Sequence, residues 1–322
     1  NCNWNGMGRN LFRDPLGNRN LVWISQYTNL DIRVSINNGA SWTEPTSLGA
    51  AGQSGSTWDW DSAGNLHGIL ADGISNAVYR KITLTRTAGD ITSAAETTTF
   101  TLACITNSAL GRSWSIAVVS DGQASPVERV AIAWMDFAAS RLSTRLVVTT
   151  EVAGGAPTGA TDFKAFDESG ATGELIRNDT DATTGTSTGF MTKVAQMPGG
   201  AGTAKYRLYV AIRAYDSTNV SERLTAIYEA AWNNVASQPF WGSFASLGTG
   251  STPAETAVHN VDLIADAANN RIIMACLDTT STTAKTLDIW VVNTSGALDK
   301  NTTFAQINFA SLLYPLGSGK LG

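Results

Sequence analysis

Short apolar segments recur along the chain with the same kind of flanking sequence. Each is a run of about four hydrophobic residues, which is the length of a β-strand rather than a helix. They begin at Leu21, Leu66, Val130, Leu208 and Ile272. Recurrence of one pattern at this spacing predicts five copies of a single structural unit, each built around an apolar strand.

The segments that precede these strands have the composition of tight turns. They are rich in Gly, Asn, Asp and Pro, which tolerate positive φ or bond their own backbone. They occupy residues 14–18, 61–65, 120–122, 197–200 and 266–270. We therefore expect each apolar strand to be the second strand of a hairpin.

Further strands follow each hairpin. A third is predicted at residues 32–36, 77–84, 144–150, 224–230 and 287–292, and a weaker fourth at 163–166, 241–247 and 304–309. Four strands per unit, repeated five times, are typical of an all-β fold of the β-propeller kind with five four-stranded blades. The alternative is an irregular β-sandwich. Residues 154–189, rich in Gly, Thr and Asp, are predicted to form a long loop and a candidate contact surface.

One domain is expected to span residues 1–322, since all-β domains reach this length as a single unit. The approximate blades are 1–50, 51–105, 106–168, 186–248 and 255–314. The sequence begins at Asn1 without an initiator Met or an apolar leader, so we expect either a processed form or an excerpt of a longer protein.

Charge and composition exclude several classes of function. The net charge is -5 and only 15% of residues are charged, so no basic stripe is available for nucleic acid. No apolar run approaches the roughly 20 residues needed to cross a bilayer, and we expect no membrane insertion. The 3 cysteines are far apart, and no metal-ligand spacing, phosphate loop or nucleophile elbow occurs. We therefore expect no disulfide framework, no metal and no cofactor.

Residues 35–42, Ser-Ile-Asn-Asn-Gly-Ala-Ser-Trp, resemble the Asp-box of the sialidase-like β-propellers (BNR repeats), with Asn37 where the family has Asp. Asn37 is expected to bond the local backbone, Gly39 to supply positive φ, and Trp42 to fold back over the turn. Residues 61–67 and 77–80 are also similar to a blade pattern of that family. The resemblance implies the propeller fold and a box between third and fourth strands.

Strand direction predicts which residues share the central mouth of such a propeller. The first strand of each blade begins on the face where the second strand ends, and ligands of propellers bind in that mouth. Residues at or near the starts of first strands include cations, an aromatic ring, an imidazole and a carboxylate, which suit sugar hydroxyls and pyranose faces. The candidate ligand-binding residues of this kind are Arg9, Arg112, Trp114, His259 and Asp262. Arg112 and Asp262 have an alternative role, pairing only to hold the blades together.

Three further polar residues lie close together in the second repeat. Asp59 joins the candidate ligand-binding residues because an acid is unusual inside a first strand. Asp61 aligns with Asp14 and Asp266 and is predicted to organise a turn. His67 lies in an apolar strand and is predicted to be a core histidine.

These features favour a glycan- or receptor-binding β-propeller of a secreted, cell-surface or virion-surface protein, such as a tail fibre. The expected partner is a glycan or a cell-surface receptor, the expected location extracellular or on a virion, and assembly into a larger complex is a further expectation. One alternative is a glycoside hydrolase or polysaccharide lyase that uses paired carboxylates, or His259 with a Tyr, as acid and base. Another is a non-catalytic structural or assembly module of a virus or surface layer.

Overall fold

The computed structural model describes 22 strands and several of the turns between them. The described residues are 11–17, 19–26, 29–50, 57–72, 76–102, 114–120, 128–138, 141–149, 157–164, 174–179, 191–198, 206–214, 224–233, 240–241, 245–249, 258–266, 269, 271–278, 286–292 and 298–300.

Antiparallel strands make up nearly all of this part of the chain, and they form five sheets. Sheet 1 consists of β1 (Leu11–Arg13), β2 (Leu21–Gln26), β3 (Asn29–Ser35) and β4 (Thr46–Ala50). Sheet 2 consists of β5 (Thr57–Trp60), β6 (Leu66–Asp72), β7 (Asn76–Thr87) and β8 (Asp90–Thr101). Sheet 3 consists of β9 (Trp114–Ser120), β10 (Glu128–Ala138), β11 (Arg141–Thr149), β12 (Phe163–Lys164) and β13 (Glu174–Asp179).

The last two sheets repeat the arrangement. Sheet 4 consists of β14 (Met191–Pro198), β15 (Tyr206–Ala214), β16 (Leu224–Asn233), β17 (Phe240–Trp241) and β18 (Ala245–Thr249). Sheet 5 consists of β19 (Val258–Asp266), β20 (Arg271–Asp278), β21 (Thr286–Val292) and β22 (Leu298–Lys300). The one helical element in the described residues is a 3-10 turn at Ala160–Asp162.

Within each sheet the strands pair with their neighbours along the chain. The predicted apolar strands are all second strands: Leu21 begins β2 and Leu66 begins β6, and the other three lie at the second or third position of β10, β15 and β20. The hairpin prediction is therefore confirmed for every sheet.

The fourth strands were predicted less well than the first three. β4 and β8 escaped prediction because they are built largely from Thr, Ser, Ala and Gly and carry few large apolar residues. In sheet 5 the fourth strand is β22, earlier than residues 304–309, which lie outside the described residues.

The predicted loop at residues 154–189 is partly wrong. It contains β12 and β13, and both pair with β11. β12 pairs with only two residues at the end of β11, so the edge at Leu142–Leu146 is available to β13.

The core lies between successive sheets. Alternation along β1, β2 and β3 places one set of apolar residues against sheet 2, and sheets 2 and 3 bury a second set between them. The first cluster includes Phe12, Val22, Ile24, Leu30, Ile32, Trp58, Leu66, Leu70 and Ile82. The second includes Ile69, Tyr79, Leu102, Ile116, Val130, Ile132, Trp134 and Phe163.

Trp58 shows how closely sheet 2 is packed. It pairs across the hairpin with Gly68, and its indole lies directly over that residue, so that a Cβ built at Gly68 would overlap the ring. The absence of a side chain at Gly68 therefore creates the space that buries Trp58.

The turn between β3 and β4 has the local hydrogen bonds expected for residues 35–42. The Ser41 amide donates to Asn37 Oδ1 (2.9 Å), and the Gly39 amide donates to Ser35 Oγ (2.8 Å). Gly39 has a φ of 89°, as predicted. Trp42 is half-buried and packs edge-to-face on Trp23, with ring centroids 6.3 Å apart. It is therefore a partial cover of the turn rather than a fully buried plug.

Candidate functional site

The sheets have two distinct ends. In each sheet the first strand meets the second at a hairpin, and we call the end with these hairpins the turn end. The opposite end, where the first strand starts and the second strand finishes, is the open end. The first strands of sheets 2 to 5 are neighbours: β5 lies beside β9, β9 beside β14, and β14 beside β19. Residues distant in sequence are therefore brought together along a common inner wall.

Polar contacts hold the sheets together at the turn end. The Asp14 carboxylate, in the first turn of sheet 1, is fully buried and accepts two hydrogen bonds from Arg86 of β7, at 2.9 and 3.0 Å. The Asn20 side chain donates to the carbonyl of Gly89 (2.7 Å). Glu128, at the start of β10, accepts hydrogen bonds from the backbone amide and hydroxyl of Ser62. These contacts at the turn end join sheet 1 to sheet 2 and sheet 2 to sheet 3.

Asp61 and His67 form a buried network in sheet 2. His67 Nδ1 lies 2.6 Å from Tyr79 Oη, and Nε2 lies 3.0 Å from Asp61 Oδ2. Asp61 also accepts the Asn65 amide at 2.6 Å, which closes the turn. His67 is therefore a core residue and Asp61 a turn residue, as predicted. Tyr79 escaped prediction, although the hairpin register, which pairs His67 with Lys81, places it two positions away.

Acid should weaken this network. Burial by itself would raise the pKa of Asp61, but hydrogen bonds from His67 and Asn65, and the charge of His67, outweigh it and lower the pKa to about 2. A carboxyl with a depressed folded-state pKa contributes stability above its unfolded value of about 3.9, and that stability is lost as the pH falls toward 2. We expect the wild-type free energy of unfolding to fall by about 2 kcal/mol more than that of Asp61→Asn between pH 4 and pH 2. Chemical denaturation at several pH values measures it; parallel curves for the two proteins would contradict it.

Asp59 lies on the inner wall between two sheets. Its Oδ2 accepts the backbone amide of Val118 in β9 at 2.7 Å, and its Oδ1 accepts the amide of Trp60 at 2.9 Å. The side chain is half-buried. This carboxylate therefore joins the first strand of sheet 2 to the first strand of sheet 3.

The structure places three of the other candidates on first strands. Trp114 is the first residue of β9, and His259 and Asp262 lie in the first half of β19. Arg9 and Arg112 lie outside the described residues, each two positions before a first strand. The open end therefore receives Trp114 and His259 from first strands of two different sheets.

β19 is irregular where His259 lies. Val258 pairs with Asp278 and Val261 with Cys276, so three steps along β19 match two along β20, and the extra residue falls at His259 or Asn260. Bulges of this kind re-aim side chains and are frequent beside binding sites. The bulge therefore marks the start of β19 as a candidate binding position.

Asp262 lies one level deeper. It pairs with Ala275, and the matching positions of sheets 2 and 3 are Thr57 and Ser115, which pair with Ile69 and Ala133. Thr57 and Ser115 are buried, 4% and 3% exposed. This match fits the alternative role predicted for Asp262, which is to hold neighbouring sheets together rather than to bind a ligand.

No group of three or more His, Cys, Asp or Glu side chains among the described residues is arranged to hold a metal ion. Within the same residues there is no helix with the length and apolar character to cross a bilayer.

Comparisons with known proteins show the fold. No protein-family model matches the chain, and no curated protein sequence matches it. Among solved structures, the chain is similar to the fucose-recognising lectin of the fungus Aleuria aurantia, a six-bladed β-propeller, with 10% identity, a TM-score of 0.50, and coverage of 92% of this chain and 77% of the lectin.

Two enzymes are more distant matches. An ulvan lyase of polysaccharide lyase family 25 has 10% identity and a TM-score of 0.44 over 90% of this chain and 68% of the enzyme. An α-L-arabinofuranosidase from Lactobacillus brevis has 11% identity and a TM-score of 0.44 over 89% of this chain and 91% of the enzyme. The five successive sheets and the likeness to the lectin place the chain's all-β fold with the β-propellers.

Proposed function

We propose that this chain is a glycan-binding β-propeller whose ligand binds at the open end of its inner wall. The observation that carries the proposal is what the first strands bring to the open end: Trp114 begins β9, and the bulged start of β19 carries His259. An aromatic ring and an imidazole suit a sugar, which stacks its apolar face on a ring and bonds through its hydroxyls. The lectin with a similar fold recognises fucose.

The proposed contacts are the residues at the starts of the first strands. Trp114 supplies the stacking surface, and His259 supplies a hydrogen bond from the bulge. Arg9 and Arg112 are close in sequence to the starts of β1 and β9, and their guanidinium groups supply directed donors. Asp262 supplies an acceptor. Asp59 is not among these contacts, because its carboxylate binds the neighbouring strand.

The architecture proposed with this function is a closed ring of five four-stranded blades in a single domain. In sheets 2 and 3 the face toward the chain's start is covered by the preceding sheet. The matching face of sheet 1 carries Leu11 and Trp23, which are 56% and 42% exposed. Closure by sheet 5 would cover this face, and a crystal structure will count the blades.

We also propose that the chain is related to the sialidase-like propellers and that residues 35–42 are an Asp-box. A location outside the cell or on a virion is part of the same proposal. The hydrogen bonds of Ser35 and Asn37 support the box assignment. Immunogold labelling of intact cells or particles from the source tests the location, and signal confined to the cell interior would contradict it.

Binding to immobilised glycans tests the function. We expect the chain to retain at least one glycan on an array, and Trp114→Ala to weaken its affinity for that glycan by about 1–3 kcal/mol, roughly 5- to 150-fold. The matched control is Trp42→Ala, which removes a half-buried Trp at the turn end and should leave the affinity unchanged.

Three outcomes separate the alternatives. Equal losses of glycan affinity in Trp114→Ala and Trp42→Ala would show that the site is not at the open end. Release of reducing or unsaturated ends from the bound glycan would make the chain a hydrolase or a lyase. A folded chain that binds no glycan would favour the structural or assembly module.

A further inference from the structure

Asp59 makes a contact of unusual kind on the inner wall. β9 ends the path of sheet 3, with β10 on one side of it. The Val118 amide donates to Asp59 Oδ2 at 2.7 Å, across the boundary between sheets 2 and 3. A backbone amide bonded to a carboxylate is a charge-assisted hydrogen bond, stronger than the neutral bonds of a β-ladder.

The repeat does not require an acid at this position. Asp59 pairs with His67, and the matching positions of the other first strands are found from the registers of the other hairpins. They are Phe12, Ala117, Ala195 and Ile264. Asp59 is therefore the acidic member of a set that is otherwise apolar among the five described first strands. Its role belongs to the boundary between β5 and β9 and not to the propeller as such.

The strand that Asp59 holds is the strand that begins with Trp114. Val118 lies four residues further along β9, about 13 Å at a rise of about 3.3 Å per residue. A strand is stiff over that distance, so fixing Val118 also fixes the direction in which the start of β9 approaches the open end.

We propose that Asp59 is a positioning residue for the ligand site: through the Val118 amide it sets β9 against β5 and thereby places Trp114, without touching the ligand. The inference rests on the proposed function for its ligand, while the contact between the strands can be tested separately. It also gives a reason why an acid lies between Trp58 and Trp60 in β5.

Two variants and a control test the contact itself. Asp59→Ala removes the acceptor, whereas Asp59→Asn keeps an oxygen that can accept the same amide. Asp90→Ala is the matched control, because Asp90 forms its ion pair with Arg19 away from the inner wall. In hydrogen exchange we expect the amides of Trp114–Val118 to exchange at least tenfold faster in Asp59→Ala, and close to the wild-type rate in Asp59→Asn and Asp90→Ala. Unchanged exchange in Asp59→Ala overturns the proposal, whether or not the chain binds glycan.

A double-mutant cycle tests positioning against direct contact. Asp59→Ala should weaken the affinity for the glycan selected on the array about 5- to 20-fold, and should weaken it no further when Trp114 is already Ala. Independent losses that multiply in the double variant would show that Asp59 acts on the ligand or on overall stability, and would overturn the proposal. A chain that binds no glycan, yet shows the exchange pattern above, would contradict the proposed function. Asp59 would then be shown only to hold β9 against β5.

Discussion

Arg86→Met is expected to lower the free energy of unfolding by about 3–5 kcal/mol. The substitution leaves the Asp14 carboxylate fully buried without its cation, and an uncompensated buried charge costs about that much. Arg86 donates two hydrogen bonds to Asp14 and a third to the Gly64 carbonyl (2.8 Å), so it ties the first turns of sheets 1 and 2 together. Urea denaturation followed by far-UV circular dichroism measures the loss.

The control for this prediction is a second pair between the same two sheets. Arg19 and Asp90 lie 2.6 Å apart, but the Arg19 side chain is 60% exposed. Exposed pairs contribute little, because solvent screens them and long side chains lose freedom when they pair. We therefore expect Arg19→Met to change stability little or not at all. Similar losses in the two variants would show that the burial of Asp14 is unimportant.

Trp58→Ala is expected to cost about 3–5 kcal/mol, the usual range for truncating a buried Trp. The ring is 4% exposed and belongs to the cluster that joins sheets 1 and 2. Because the Trp58 ring lies directly over Gly68, a substitution at Gly68 provides a second test. Gly68→Ala places a methyl group where the ring lies, and overpacking of this kind costs about 1–3 kcal/mol.

The two changes should not add. Once Trp58 is Ala, the space above Gly68 is empty, and Gly68→Ala should then cost little or should stabilise the variant. Gly159→Ala is the matched control, because the nearest heavy atom to its added Cβ is 4.0 Å away and its φ is -164°. Thermal denaturation of the four proteins of the cycle measures the coupling. Strict additivity would mean that the ring does not occupy the Gly68 site.

The parts of the fold that follow from local sequence could be predicted. Large aliphatic residues mark β2, β6, β10, β15 and β20, and Gly, Asn and Asp mark the hairpins that precede them. β8 could not be found in the same way, because its long run of Thr, Ser and Ala gains its partners from β7 and has little apolar pattern of its own.

The contacts between sheets could not be predicted from local sequence. Asp14 and Arg86 are 72 residues apart, and Asp59 and Val118 are 59 apart. No local pattern links such partners, because each contact depends on how two completed sheets meet. His67 and Tyr79 are the instructive exception, since they lie in one hairpin and the register alone brings them together.

The same difference applies to the candidate site. Strand direction was enough to place Trp114 and His259 at the starts of first strands. It was not enough to show that Asp59 binds the next strand, that β19 is bulged at His259 or Asn260, or that Asp262 matches buried positions of other sheets. Residues at strand starts can be located from the repeat, whereas their partners depend on packing.

The most direct measurement is a crystal structure of the chain bound to the glycan that it retains best on an array. The account predicts a closed five-bladed ring with the sugar at the open end, its apolar face on the Trp114 ring and its hydroxyls within hydrogen-bonding distance of His259. It predicts the Asp59 carboxylate on the Val118 amide and away from the sugar. A glycan bound at the turn end or on the outer rim of the sheets, with Trp114 free of contact, would contradict it.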